Sequence, residues 1–285
     1  MRVLVSLAVH EQPAVVVGQL RNLIRYLDDP LIVLHISREF DVREQDFAIS
    51  DRVVINPVRH STVWGSGILA FVHLQNVRYA LNRHECNYVV FHSSNDLFVR
   101  EGVESYMEGH AAGGRTNTVD GWSWESACRS DHPLKRFMQQ HQLTRALHGQ
   151  LEGSYYRSDV FEDMLEKMDT LEQHVSLMRL SRHSLMRRKV PMLFRNPHYP
   201  REEVYFPMAL AACGLRPDTG PYTYMNWNHG LDLSQVTIDA VRRRNYSALP
   251  DYVLAGSDEL FAVKRVPRRL DDSLRQYIIA LNNED

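Results

Sequence analysis

Three stretches of the chain are apolar on both alternating faces: Val3 to Val9, interrupted only by Ser6, Leu31 to Ile36, interrupted only by His35, and Tyr88 to Phe91. A strand reads this way when both of its faces are buried, as in a mainly parallel sheet covered by helices. After the turn His10-Glu11-Gln12-Pro13, residues Ala14 to Leu27 place Val16, Leu20, Leu23, Ile24 and Leu27 at helical spacing. Strand, helix, strand is the opening of a βαβ unit. Arg52 to Pro57 reads as a third short strand, and a long helix is predicted from beyond Gly67 to about Asn82. Two of the buried strands end abruptly in polar tips, Ser37-Arg38-Glu39-Phe40-Asp41 and His92-Ser93-Ser94-Asn95-Asp96. If the strands are parallel, both tips lie at the carboxyl edge of the sheet, where open α/β sheets bind ligands. The plainer reading of the second tip is a β-to-α turn in which Asn95 or Asp96 caps the next helix.

The pattern is less regular beyond Arg100. A helix to about Glu108 is followed by a loop-rich excursion with Gly113-Gly114-Arg115 and the pair Trp122 and Trp124. Those tryptophans either stack on a sugar or base or pin a long loop. Gln150 to Arg157 reads as a strand, and Val160, Phe161, Met164 and Leu165 as one face of a helix with Glu152 near its start. Residues 174–189 mix apolar and basic positions, the pattern of a helix lying on anionic lipid or of a solvated helix packed on the domain. Prolines at 197 and 200 stop one element, and Glu202 and Glu203 open another at its positive end. Tyr222 to Trp227 is an aromatic strand, Arg242-Arg243-Arg244 a basic run, Leu260 to Arg265 a strand ending in Lys264 and Arg265, and Asp271 to Ala280 the closing helix.

Composition narrows the class. With 285 residues the chain is long enough for one large α/β domain with a C-terminal extension. A formal net charge of -2 provides no basic field for nucleic acid. The three cysteines are too few and too scattered for a disulfide framework, and no signal-peptide or membrane-span pattern is present, so a cytoplasmic location is expected. Fourteen histidines include no His-Glu-x-x-His or other tight ligand spacing. Gly65-Ser66-Gly67-Ile68-Leu69-Ala70 matches the dinucleotide glycine fingerprint, but it follows the third strand where the fingerprint belongs after the first. Gly65 and Gly67 are expected instead to let the helix start close to the sheet.

Taken in order, these segments resemble the core-2/I-branching N-acetylglucosaminyltransferase and protein xylosyltransferase family. Trp64-Gly65 and the helix after it are similar to that family's Trp-Gly-Gly segment, and Ser93-Ser94-Asn95-Asp96-Leu97-Phe98-Val99 to its Leu-Ser-Gly-x-Asp-Tyr-Pro-Leu strand end. Glu202-Glu203-Val204-Tyr205-Phe206-Pro207 falls where the family has its catalytic glutamate, and Phe261-Ala262-Val263-Lys264 resembles its closing Phe-Ala-Arg-Lys-Phe motif. Two positions depart: Ser37 stands where a carboxylate is expected after His35, and Val263 where the arginine is expected.

The resemblance implies an α/β, GT-A-like Rossmann-type mixed sheet flanked by helices, a short bacterial-type form spanning 1–285. Residues 1–110 form its nucleotide-sugar half and 111–285 its acceptor and catalytic half. It implies an inverting transfer of a sugar from a nucleotide diphosphate donor, UDP-linked by expectation, to a saccharide or glycolipid hydroxyl in surface polysaccharide synthesis at the cytoplasmic side. Glu203 is the expected base. His10, Ser37, Arg38, Trp64, Lys264 and Arg265 are expected on the donor and its phosphates, and Asp96, Glu152 and Trp227 on the acceptor. No Asp-x-Asp pair is present, so no metal cofactor is expected and cations are expected to take its place, Lys264 first, with Arg265 or one of Arg242 to Arg244 second. The rival reading, left open by Ser37 and Val263, is a glycan- or nucleotide-binding protein that keeps the fold without turnover. Residues 174–189 would supply any peripheral membrane contact.

Overall fold

Burial on both faces turns the apolar runs into the centre of one sheet. β1 (Arg2–Val9) and β2 (Asp29–Ile36) pair in parallel, from Arg2 opposite Asp29 to Val9 opposite Ile36, with α1 (Pro13–Tyr26) as the crossover. β3 (Val53–Ile55) adds in parallel outside β2. α2 (Ile68–Leu81) then carries the chain back across β1, and β4 (Tyr88–His92) pairs in parallel on its other side. The order β3-β2-β1-β4 therefore switches direction between β1 and β4, and the polar tips predicted after β2 and β4 do share the carboxyl edge. The computed structural model describes residues 1–10, 12–62, 67–182, 199–225, 233–249 and 259–281, leaving aside the side chains of residue 170 and of 172–182.

Alternation along these strands divides the core. Val3, Val5 and Leu7 of β1 and Val90 of β4 meet Val16, Leu20 and Leu23 of α1 on one face. Leu4, Val89 and Phe91 meet Phe71 and Leu74 of α2 on the other. Asn76 of α2 reaches into the sheet and donates to Ser6 Oγ, Leu7 O and Val33 O, each at 3.1 Å, which fixes the helix against β1 and β2.

The rest of the chain extends this sheet and adds a smaller one beyond its carboxyl edge. β5 (Leu97–Phe98) and α3 (Val103–Met107) lead to β6 (Ala112–Gly113), then β7 (Asn117–Thr118), α4 (Glu125–Arg129), α5 (His132–Gln140) and β8 (Leu147–His148), which pairs with β7. β9 (Tyr155–Arg157) joins the main sheet antiparallel to both β4 and β6, giving six strands in the order β3-β2-β1-β4-β9-β6. α6 (Ser158–Arg182) and α7 (Glu202–Ala212) add Met164 and Phe206 to the Phe91 face. β10 (Thr223–Tyr224), α8 (Gln235–Arg242), β11 (Ala262–Val263) and α9 (Ser273–Leu281) complete the described chain, with β10, β11 and β5 in one three-stranded sheet.

Several expectations change here. The tip after β4 leads into β5 and not directly into a helix, because Asp96 turns back to accept from Ser93. The strand expected over 150–157 is confined to Tyr155–Arg157, since Gly153 at φ +77° breaks the extended backbone, and Glu152 precedes β9 instead of starting α6. Gly67 is open because Arg201 from the start of α7 packs against it, so its close neighbour is that side chain and not the sheet. The basic stretch 174–189 runs from the end of α6 into residues outside the described set. Among the described residues no helix is long and apolar enough to cross a membrane.

Candidate active site

The carboxyl edge at β4 is built as a rigid corner. Asp96 accepts from the Ser93 amide at 2.8 Å and the Ser93 hydroxyl at 2.9 Å, and its carboxylate lies 3.4 Å from His92 Nδ1. The other ring nitrogen of His92 shares a 2.7 Å hydrogen bond with the Tyr222 hydroxyl. A short polar residue closing its own turn explains why the strand end is fixed rather than frayed. β5 follows at once and pairs with β11, with Leu97 opposite Val263, so the residue after β11, Lys264, emerges beside this corner.

Glu152 reaches the same place from the opposite direction. Gly153 donates its amide to Phe91 O at 3.1 Å, and Gln150 donates to Glu152 O at 2.6 Å and Thr223 O at 2.9 Å. A side chain on Gly153 would collide with Thr223, so only glycine lets this segment lie against β10. The Glu152 carboxylate forms an ion pair with the Lys264 ammonium, and both side chains are largely buried. The second Glu152 oxygen and the Thr223 hydroxyl are buried with no hydrogen-bond partner among the described residues.

α7 brings two more carboxylates, and a proline explains how. Pro207 has no amide to return to Glu203 O four residues earlier, and the freed carbonyl accepts from the Gly149 amide at 2.7 Å. That bond ties the segment carrying Glu152 to the first turn of α7. Gly149 itself has to be glycine, because a Cβ there would strike the Arg115 carbonyl oxygen. The preceding residue, Arg201, is fully buried and donates Nε to Asp131 at 2.8 Å, on the same carboxylate oxygen that accepts the Tyr199 hydroxyl at 2.7 Å and the Tyr205 hydroxyl at 2.9 Å. This paired, saturated charge anchors the start of α7 to α5.

The electrostatics follow from burial. Glu203 is pushed up to about 8, first by loss of water and then by the neighbouring charges of Glu152 and Glu202, with Lys264 and Arg265 pulling the other way. Burial, then Glu152, pushes Glu202 up to about 7. Burial opposes the charge on Lys264, but Glu152, Asp96 and Glu203 more than offset it and hold the ammonium above its usual range. Glu203 is only partly buried, whereas Glu202 is 7 % exposed. Arg265, directly after Lys264, adopts φ +68°, a left-handed conformation that is costly for a side-chain-bearing residue.

Of the residues expected from sequence, Asp96, Glu152, Glu203, Lys264 and Arg265 come together here. His10, Ser37 and Arg38 lie at the ends of β1 and β2, on the same carboxyl edge; Ser37 is buried and donates to Glu39 at 3.0 Å, and Arg38 donates to Arg59 O at 3.1 Å. Trp64 and Trp227 fall outside the described residues. Arg242, Arg243 and Arg244 lie at the end of α8, where Arg244 is 3.7 Å from Glu259. Trp122 stacks on His148 with centroids 4.4 Å apart and packs against the core, so it pins its loop. Sequence reasoning missed the Asp131 anchor; its signal is Asp131-His132-Pro133, a capping residue before an early helical proline.

No protein-family model and no curated protein matches the sequence. Among solved structures, the chain is similar to a galactosyltransferase, LgtC, in complex with donor and acceptor sugar analogues, with 99% of this chain and 95% of that one covered, 9% identity and a TM-score of 0.48.

Proposed function

We propose that the protein is an inverting glycosyltransferase that moves a sugar from a nucleotide diphosphate donor to a hydroxyl of a saccharide acceptor. The observation that carries this reading is Glu203: a partly accessible carboxylate whose proton affinity is raised to about 8, standing in a cluster with Glu152, Lys264 and Arg265 beyond the carboxyl edge of a sheet with a topological switch point. Such a carboxylate takes the acceptor proton as the acceptor oxygen attacks the anomeric carbon, and the bond from that carbon to the diphosphate breaks on the opposite side. Lys264 and Arg265 offset the charge gathering on the leaving diphosphate, which on this reading needs no divalent metal. Glu152 accepts hydrogen bonds from sugar hydroxyls, and its second oxygen, without a partner among the described residues, supports that role; Asp96, expected on the acceptor, is buried and already accepts from Ser93, so it holds the corner instead of touching the sugar.

A panel of nucleotide sugars with a mixed saccharide acceptor, read by release of the nucleotide, tests the proposal, and uridine diphosphate sugars come first. Consumption of one donor with an inverted anomeric centre in the product is expected. Saturable binding of nucleotide sugars without turnover would assign the protein to the non-catalytic class, and a retained centre would remove Glu203 from the role of base.

A further inference from the structure

Alongside α7 runs a second feature that the transfer reading leaves unused. The segments after β6, before β8 and after α7 enclose a groove of about 910 Å³, within the size range of ligand sites. Its apolar lining comes from Leu147, Pro207 and Leu210, and its charged lining from Arg115, Arg145 and Arg216. Several described arginines, such as Arg2, Arg25, Arg78, Arg100, Arg129 and Arg157, face a carboxylate close at hand. The three groove arginines have no carboxylate within 4.0 Å and no hydrogen-bond acceptor among the described residues. The acid that lines the groove, Asp218, is turned to the backbone and accepts from the Ala111 amide at 2.7 Å.

Arg115 is the most informative of the three. It is half-buried, and burial alone acts on its proton affinity, lowering it, with no acid to compensate. The neighbouring His148 is held below its usual range by burial and then by Arg115, so it supplies no negative counter-charge. A guanidinium withdrawn from water without an anion is costly, and a ligand oxyanion removes that cost through charged, bidentate hydrogen bonds. The near end of the groove also adjoins the candidate site. Pro207 lies one helical turn from Glu203 on the same face of α7, and Gly149, whose amide holds Glu203 O, abuts the Arg115 carbonyl.

We propose that this groove binds an acidic saccharide, a chain bearing carboxylates or phosphates, and lays it along α7 with one end toward Glu203. The assignment of that chain as acceptor rests on the transfer reading above; the binding itself does not. Threonine and asparagine side chains at positions 116, 117, 118 and 144 line the same groove and suit sugar hydroxyls, while the apolar stretch suits the faces of the rings.

The test is equilibrium binding of a fluorescent oligogalacturonate to the full chain, compared with its methyl ester, which keeps the sugars and removes the charge, and with a phosphorylated mannan fragment. The acidic chain is expected to bind at least about tenfold more tightly than the ester, and to lose at least about tenfold in the Arg115→Ala/Arg145→Ala/Arg216→Ala variant. Tighter binding of either the carboxylated or the phosphorylated probe supports the groove and identifies the oxyanion. Binding of neither acidic probe more tightly than the ester, or an unchanged affinity in the variant, would overturn it. Arg145 and Arg216 are exposed, so the double variant Arg145→Ala/Arg216→Ala, which leaves the half-buried residue in place, repeats the test if the triple variant unfolds. Because binding is read without turnover, a groove that binds in a protein that transfers no sugar would sink the transfer reading alone.

Discussion

A base that acts on a sugar hydroxyl must hold a proton well and still be reachable, two demands that burial sets against each other. Glu203 meets both because its neighbour Glu202 is the more deeply buried of the pair. The Lys264 ammonium is engaged with Glu152. On the transfer reading a diphosphate has to share or displace that contact, so removing the lysine has two effects that can be separated. Lys264→Ala leaves Glu152 as an uncompensated carboxylate, and the chain should lose stability by roughly 3 kcal/mol. Lys264→Ala/Glu152→Gln should recover most of that loss in a thermal melt, while the transfer rate stays at least about tenfold below wild type, the value of one charged hydrogen bond to the leaving group. Full activity of Lys264→Ala, together with abolition by EDTA and rescue by manganese, would refute the metal-free account.

At the scale of the element, the site depends on how α7 begins. Pro207 frees the Glu203 carbonyl, Gly149 captures it, and Glu152 follows three residues later. Gly149→Ala drives a methyl group into the Arg115 carbonyl, at a cost of about 1 to 3 kcal/mol, and should lower kcat at least about tenfold by displacing Glu152. Gly18→Ala on α1 meets nothing within 4 Å and should be neutral or stabilising, which makes it the control in the same denaturation and rate measurements. The helix start was legible because Pro200, Glu202 and Glu203 are local signals. So were β1, β2 and β4, whose two buried faces leave continuous apolar runs. β10 and β11 were legible within the aromatic run at Tyr222 and the apolar run at Leu260, but the short strand β5 was not, since two residues carry no period. Nor was the pairing of Glu152 with Lys264, which the chain reaches only after closing both sheets. The polar corner at Asp96 was visible as a site edge, but its turn back onto Ser93 depends on hydrogen bonds that spacing does not reveal.

For the molecule as a whole, the carboxylate cluster is a stability cost that grows with pH. Glu202 sits at about 7 when folded and near the ordinary 4.5 when unfolded, so its contribution is fully present below pH 4.5 and is lost as pH rises through 7. The shift corresponds to roughly 3 kcal/mol by pH 8. Denaturant midpoints measured from pH 5 to 9 should therefore fall less steeply in Glu202→Gln than in wild type, and identical slopes would show that this carboxylate is not the buried acid described here. On the transfer reading, the same raised proton affinity at Glu203 should set the pH dependence of turnover, because only the ionised form accepts a proton. The most direct test is kcat/KM for the identified donor across pH 6 to 9, in wild type and Glu203→Gln, with donor affinity measured alongside. Wild-type turnover should rise with pH through a midpoint near 8, while Glu203→Gln should be flat and at least about a hundredfold slower with donor affinity unchanged. A variant that turns over at close to the wild-type rate, or that keeps the same rising limb, would contradict the assignment of Glu203 as the base.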